Sequence, residues 1–150
     1  MNLKSRIDEE LKSAMRAKDQ ARLRTLRAIK TAFVLASSQK GAGRDIDDAD
    51  ALKILQKLAK QRKDSLEIYE REGREDLAVV EREELKIIQT FLPEAVSEEE
   101  LEKILREIIE RTGAKEPRDM GRVMGAAAAR LAGRADNKSI AALAKKLLSS

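Results

Sequence analysis

Apolar residues recur every three to four positions along the whole chain, and that period fixes the fold class before anything else does. Leu3, Ile7, Leu11, Ala14 and Met15 make one such stripe, and Leu23, Leu26, Ile29, Ala32, Phe33 and Ala36 a second. Leu52, Leu55, Leu58, Ala59, Leu66 and Tyr69 make a third, and Leu77, Val80, Leu85, Ile88 and Leu92 a fourth. This is the spacing of one face of a helix; a half-buried strand would alternate. Between the stripes the residues are mostly Lys, Arg and Glu. Charged side chains are 39% of the 150 residues and aromatic ones 2%, so the helices carry charged outer faces and aliphatic inner ones. The expected fold is all-α.

The breaks between stripes divide the chain. The first helix is predicted from about Leu3 to Lys18, with Asp19 capping the second. Ser37 to Arg44, with Gly41 and Gly43, reads as a loop. Ile46-Asp47-Asp48 opens a long third helix whose acidic first turn suits the helix dipole, and Gly73 is its C-terminal cap. Pro93 stops the fourth. Residues 1–93 therefore read as an elongated four-helix bundle made of two helical hairpins.

A linker at 94–96 leads to a small three-helix tail domain, 97–150. Ser97 and Glu100 have the spacing of a reciprocal capping box, with Val96 and Leu101 as its hydrophobic staple. Gly113 ends the fifth helix. Pro117 and Asp119 fit the first turn of a sixth, and Gly133 ends it. Gly121, Gly125 and Ala129 lie four apart and predict a shallow groove where another helix packs closely. Asp136 is placed to cap a seventh helix. About 54 residues make a small domain by surface-to-volume scaling, so the tail is expected to lean on the bundle or on a partner.

The chain has no His and no Cys. That removes the commonest general base, thiol nucleophiles and zinc ribbons. A protein metal site would have to be all oxygen, and Asp45 to Asp50 lack the Gly and terminal Glu of a calcium loop. Ser37-Ser38-Gln39-Lys40 satisfies a bare Ser-x-x-Lys pattern without the motifs that give it meaning. Gly41 and Gly43 are not followed by a phosphate-loop Lys-Ser/Thr. No bound metal and no cofactor are expected. No apolar run approaches the roughly 18 residues of a membrane span, and Met1-Asn2-Leu3-Lys4 leads straight into charge. The expectation is a soluble, cytoplasmic protein with no signal peptide and no membrane partner.

The net charge of +4 is unevenly spread. Residues 1–30 hold nine basic and four acidic side chains, residues 94–115 four and seven, and residues 116–150 seven and three. Lys115, Arg118, Arg122, Arg130, Arg134 and Lys138 surround the sixth helix and the turn after it. Arg matches phosphate oxygens with a planar fork, and the start of the seventh helix favours an anion. No aromatic side chain lies in this region to stack on bases, so backbone and shape recognition of a folded RNA fits better than single-strand readout.

Several runs together resemble the YqeY-like family. They are Lys60-Gln61-Arg62-Lys63-Asp64-Ser65-Leu66, Arg74-Glu75-Asp76-Leu77, Phe91-Leu92-Pro93, Asp119-Met120-Gly121-Arg122-Val123-Met124-Gly125 and Gly133-Arg134-Ala135-Asp136. Met15-Arg16-Ala17-Lys18-Asp19 and Leu23-Arg24-Thr25-Leu26-Arg27 fit as well. The likeness spans essentially the whole chain, in order. Such proteins are similar to the C-terminal part of the B subunit of glutamine-dependent tRNA amidotransferase, and a related domain is appended to some glutaminyl-tRNA synthetases. The resemblance implies a helical hairpin domain and a small helical tail, the tail holding tRNA at its outer corner. Its best residue-level match is the turn Gly133 to Asp136, though Asn137 stands where the amidotransferase tail usually has Pro. The implied function is a non-catalytic helical module that binds tRNA or another structured RNA. The alternatives are an accessory module for an aminoacyl-tRNA synthetase or amidotransferase, and a carbon–nitrogen ligase using glutamine as amide donor. The ligase reading rests on family analogy alone, since the catalytic domain of that enzyme has no counterpart in these 150 residues.

Overall fold

Short polar residues start the helices by satisfying backbone N–H groups that have no intrahelical partner. The computed structural model describes residues 2–41 and 44–149, and Gly43 of the expected loop lies outside them. Asn2 accepts from the Ser5 N–H at 2.8 Å and opens α1, Leu3–Ala17. Lys18 then turns left-handed at φ 54°, and Asp19 caps α2, Gln20–Lys40, through the Arg22 N–H. Asp47 and Asp50 bond each other's backbone N–H at 2.8 and 3.2 Å, a full capping box at the start of α3, Asp48–Arg71. After Gly73 at φ 68°, α4 runs Glu75–Gln89. The sequence carried that helix to Leu92; instead Thr90 to Leu92 form a turn that drives Phe91 into the core.

The chain divides into two compact units, Met1–Leu92 and Pro93–Ser150. All secondary structure among the described residues is helical.

In the first unit α1 packs along α2 and α3 along α4, and α2 also touches both α3 and α4. Ile7, Ala14, Leu23, Leu26, Ile29, Phe33, Leu55, Ala59, Leu85 and Ile88 share one core. Each fully buried Leu or Ile contributes roughly 1.5–3 kcal/mol. Arg6 lies 4.8 Å over the Phe91 ring and donates to the Thr90 carbonyl at 3.1 Å, fixing the turn after α4 to α1. Asp45 accepts from Lys4, Ser37 and the Ile46 N–H, and these bonds hold its carboxyl at a pKa of about 2. Lys40 pairs with Asp50. Both residues of the bare Ser-x-x-Lys pattern are thus engaged in bracing the start of α3.

Among the described residues of this unit one carboxylate is buried. Glu84 of α4 is buried and accepts from Arg24 of α2 at 3.2 Å and from Arg62 of α3 at 3.4 Å. Arg24 also reaches exposed Glu83 at 3.3 Å. So Arg62, part of a family-like run, bonds between helices.

The second unit holds α5, Glu98–Thr112, a 3₁₀ turn at Pro117–Asp119, α6, Met120–Arg130, and α7, Asn137–Ser149. Pro117 therefore begins a separate short turn, not the sixth helix. Leu101, Leu105, Ile108, Val123, Ala127, Leu131, Ile140 and Ala144 form its core. Ser97 accepts from the Glu100 N–H at 3.1 Å as expected. The Glu100 carboxylate, expected to complete that box, pairs with Arg134 instead.

Glu84→Ala leaves a cavity in which Arg62 has lost its carboxylate and Arg24 keeps only exposed Glu83. It should destabilise the first unit by on the order of 2 kcal/mol, below a fully buried pair because Arg24 stays partly wet. Glu83→Ala, at an exposed site, should cost under about 1 kcal/mol. Urea denaturation of the two variants measures the difference.

Candidate nucleic-acid interface

The six basic residues singled out in the sequence all lie in the second unit, and the structure separates them into two groups. Lys115, Arg118 and Arg122 gather at the start of α6. Arg130, Arg134 and Lys138 lie at its end and at the turn into α7. From Arg122 to Arg130 the helix rises roughly 12 Å.

Asp119 organises the first group. Its carboxylate accepts from the backbone N–H of Lys115 at 2.9 Å and of Glu116 at 3.1 Å, and from the Arg122 guanidinium at 2.8 Å. These bonds stabilise the charged form and hold the pKa at about 2, the Lys115 N–H being the largest cause and Arg122 next. Arg122 also donates to the Thr112 carbonyl at 3.0 Å, tying α6 to the end of α5. Arg118 pairs with Glu116 at 2.6 Å and stays 83% exposed, so it can exchange that partner for another anion.

In the second group Arg130 pairs with Glu107 of α5 at 3.0 Å. Arg134 donates to the Glu94 carbonyl at 3.1 Å and pairs with Glu100 at 3.4 Å, while the Val96 N–H donates to the Arg134 carbonyl at 3.0 Å. The Gly133–Asp136 turn is therefore stitched to the segment that leads into α5. Asp136 accepts from the Ser139 N–H at 2.6 Å, so a carboxylate already sits where a phosphate was expected at the start of α7.

Four of the six cations thus hold carboxylates of this unit. Lys115 and Lys138 are exposed, and neither side chain pairs with any described residue. The sequence places Asp119 only in a helix's first turn; its spacing to Arg122, three along a helix, is the signal for the pair.

The expected close packing at Gly121 and Gly125 is not found. Both are exposed, and a Cβ at either would meet nothing within 4 Å. The cause is rotation: Val123 and Ala127 take the core side of α6 and turn the glycines outward. Among the described residues no three Asp or Glu side chains gather as a metal ion would need, and no helix is long and apolar enough to cross a membrane.

The sequence model of the YqeY-like protein family matches residues 4–148. "Altered inheritance of mitochondria protein 41, mitochondrial" of Vanderwaltozyma polyspora is 36% identical over 124 residues, covering 76% of this chain and 64% of that protein. The protein of the same name from Pyrenophora tritici-repentis is 33% identical over 133 residues, covering 87% and 71%. That from Kluyveromyces lactis is 35% identical over 96 residues, covering 62% and 51%. The chain thus spans between about half and seven-tenths of these relatives. Their names correct the expected location. They are mitochondrial proteins, which conflicts with a cytoplasmic assignment made from composition. Composition reports on the folded helices, and such helices fold in any aqueous compartment.

Two outcomes follow from this geometry. Ala at Gly121 and Gly125 should raise stability by about 0.5–1 kcal/mol each, because helix propensity is gained without a clash; thermal melting reads the gain. Asp119 ionises near 3.8 when unfolded and near 2 when folded, so its contribution is full above the unfolded value and is lost as pH falls through about 2. Wild type should therefore be more stable than Asp119→Asn at pH 6, and the gap should close between pH 4 and pH 2 in denaturation series.

Proposed function

Because the chain belongs to the YqeY-like protein family, we propose that it is a non-catalytic helical module, a two-hairpin bundle carrying a three-helix tail domain, that binds tRNA or another structured RNA. The observation that carries this reading is the tail's outward charge. Lys115 and Lys138 are exposed and pair with no described residue, Arg118 is 83% exposed, and residues 116–150 carry no aromatic side chain. A protein that lacks stacking platforms but offers ammonium and guanidinium groups holds phosphate and shape, not bases. Lys115, Arg118 and Lys138 are the contacts of this surface. Arg122, Arg130 and Arg134 set its form through their carboxylates.

A second reading has its own observation. The open, exposed glycines of α6 leave a helix face on which a partner helix could lie closely, as in an accessory module for an aminoacyl-tRNA synthetase or amidotransferase. On that reading Ala at both positions weakens partner capture, and on the RNA reading it leaves RNA binding unchanged. The ligase reading has no residue in this chain to carry it.

The test uses the two lysines whose removal breaks no internal pair. Lys115→Glu with Lys138→Glu should weaken binding of unfractionated tRNA. It should also reduce the log–log salt slope by about 0.7–0.9 per lost contact. Absence of salt-dependent tRNA binding by the wild-type chain would overturn the proposal.

A further inference from the structure

Residues 51–63 contain Lys53, Lys57, Lys60, Arg62 and Lys63 and no acidic residue. All of them lie on α3. The apolar residues of the same stretch, Ile54, Leu55, Leu58 and Ala59, belong to the core of the first unit. Arg62 is turned to Glu84. The four lysines are exposed. Lys53, Lys57 and Lys60 follow one another at four and three residues, which places them on one face over roughly 10 Å of helix. Lys60 shares an exposed pair with Asp64, 3.1 Å apart with both side chains at least half exposed, the kind of contact worth little in water. Lys53, Lys57 and Lys63 pair with no described residue.

We propose that the lysine face of α3, formed by Lys53, Lys57, Lys60 and Lys63, is a second phosphate-backbone contact of the RNA bound by this protein. The proposal rests on the RNA reading given above and assigns it a surface outside the tail. Charge complementarity selects the occupant. A nucleic-acid duplex carries a phosphate charge about every 1.7 Å of its axis, several over the length of the lysine row. Lysine is a hydrated point charge on a long stem, suited to backbone oxygens without base reading. Between Lys53 and Lys63 no large apolar side chain is exposed among the described residues, whereas a protein partner's hot spot or insertion into a lipid surface would use one.

The experiment titrates the full chain with unfractionated tRNA at several salt concentrations, comparing wild type with the triple variant Lys53→Gln, Lys57→Gln, Lys63→Gln. The triple variant should melt like wild type, bind more weakly and show a salt slope smaller by about 2–3, three contacts at about 0.7–0.9 each. The matching triple Arg variant should keep the wild-type slope. An unchanged slope in the Gln variant, with binding still sensitive to Lys115→Glu and Lys138→Glu, overturns this surface and leaves the RNA reading standing. No salt-dependent binding by wild type removes both. Loss of binding to phosphatidylserine vesicles with an unchanged tRNA slope assigns the face to a membrane and overturns the proposal.

Discussion

Glu84 and its two arginines are the constraint that gives the first unit direction. The surrounding core is Leu, Ile and Ala with Phe33 and Phe91, and aliphatic cores tolerate repacking as long as volume is kept. A buried carboxylate does not. It must meet donors on α2 and on α3 at once, at 3.2 and 3.4 Å, and a helix slipped by one turn would leave an uncompensated charge inside. The hydrophobic stripes bring four helices together; the Arg24–Glu84–Arg62 bonds fix which registers of α2, α3 and α4 can coexist. Thr25, fully buried one residue from Arg24, turns its hydroxyl back onto the Ala21 carbonyl and so adds no second polar demand.

The second unit solves the same problem at its surface, and there the ion pairs among the described residues are all made by arginine. Arginines make most of the braces: Arg22 to Glu10, Arg24 and Arg62 to Glu84, Arg122 to Asp119, Arg130 to Glu107, Arg134 to Glu100, while Lys4 to Asp45 and Lys40 to Asp50 brace the start of α3. A rigid fork loses little freedom when it meets a carboxylate. Lysines at 53, 57, 63, 115 and 138 are left facing water. Counting Lys and Arg together, as a net charge does, hides this split. The tail's +4 is largely internal wiring, and the outward charge is mostly lysine.

The same split explains what could be read from sequence. Helix starts were legible at Asp19, Asp47 and Ser97 because a cap is decided within four residues. All-helical character was legible because each stripe repeats its own period. What failed was decided at long range. Glu100 has the spacing of a capping box, yet its carboxylate pairs with an arginine 34 positions away. Gly121 and Gly125 have the spacing of a packing groove, yet Val123 and Ala127 claim the inner face. Glu84 looks like any acid on a charged helix until α2 and α3 close over it. The α3 lysine run was visible as a stretch without acids, but its outward direction needed the core side of that helix. Cellular location was decided by none of these, because no fold requirement records it.

On the RNA reading proposed above, a lysine-based surface also constrains how the module would act. An ammonium group at the end of a mobile stem gains mainly by releasing counterions from the phosphate backbone, so its contacts are sequence-tolerant and weaken steeply with salt. Specificity from such contacts comes only through shape, by fixing where the charges stand. Here the fixing is done by the arginine braces: Asp119 with Arg122 sets the approach to α6, and Glu100 with Arg134 sets the turn before Lys138. Breaking a brace therefore differs from removing a lysine. On that reading the first would move the remaining charges relative to one another and alter which folded RNA they fit; the second would lower affinity for all of them alike.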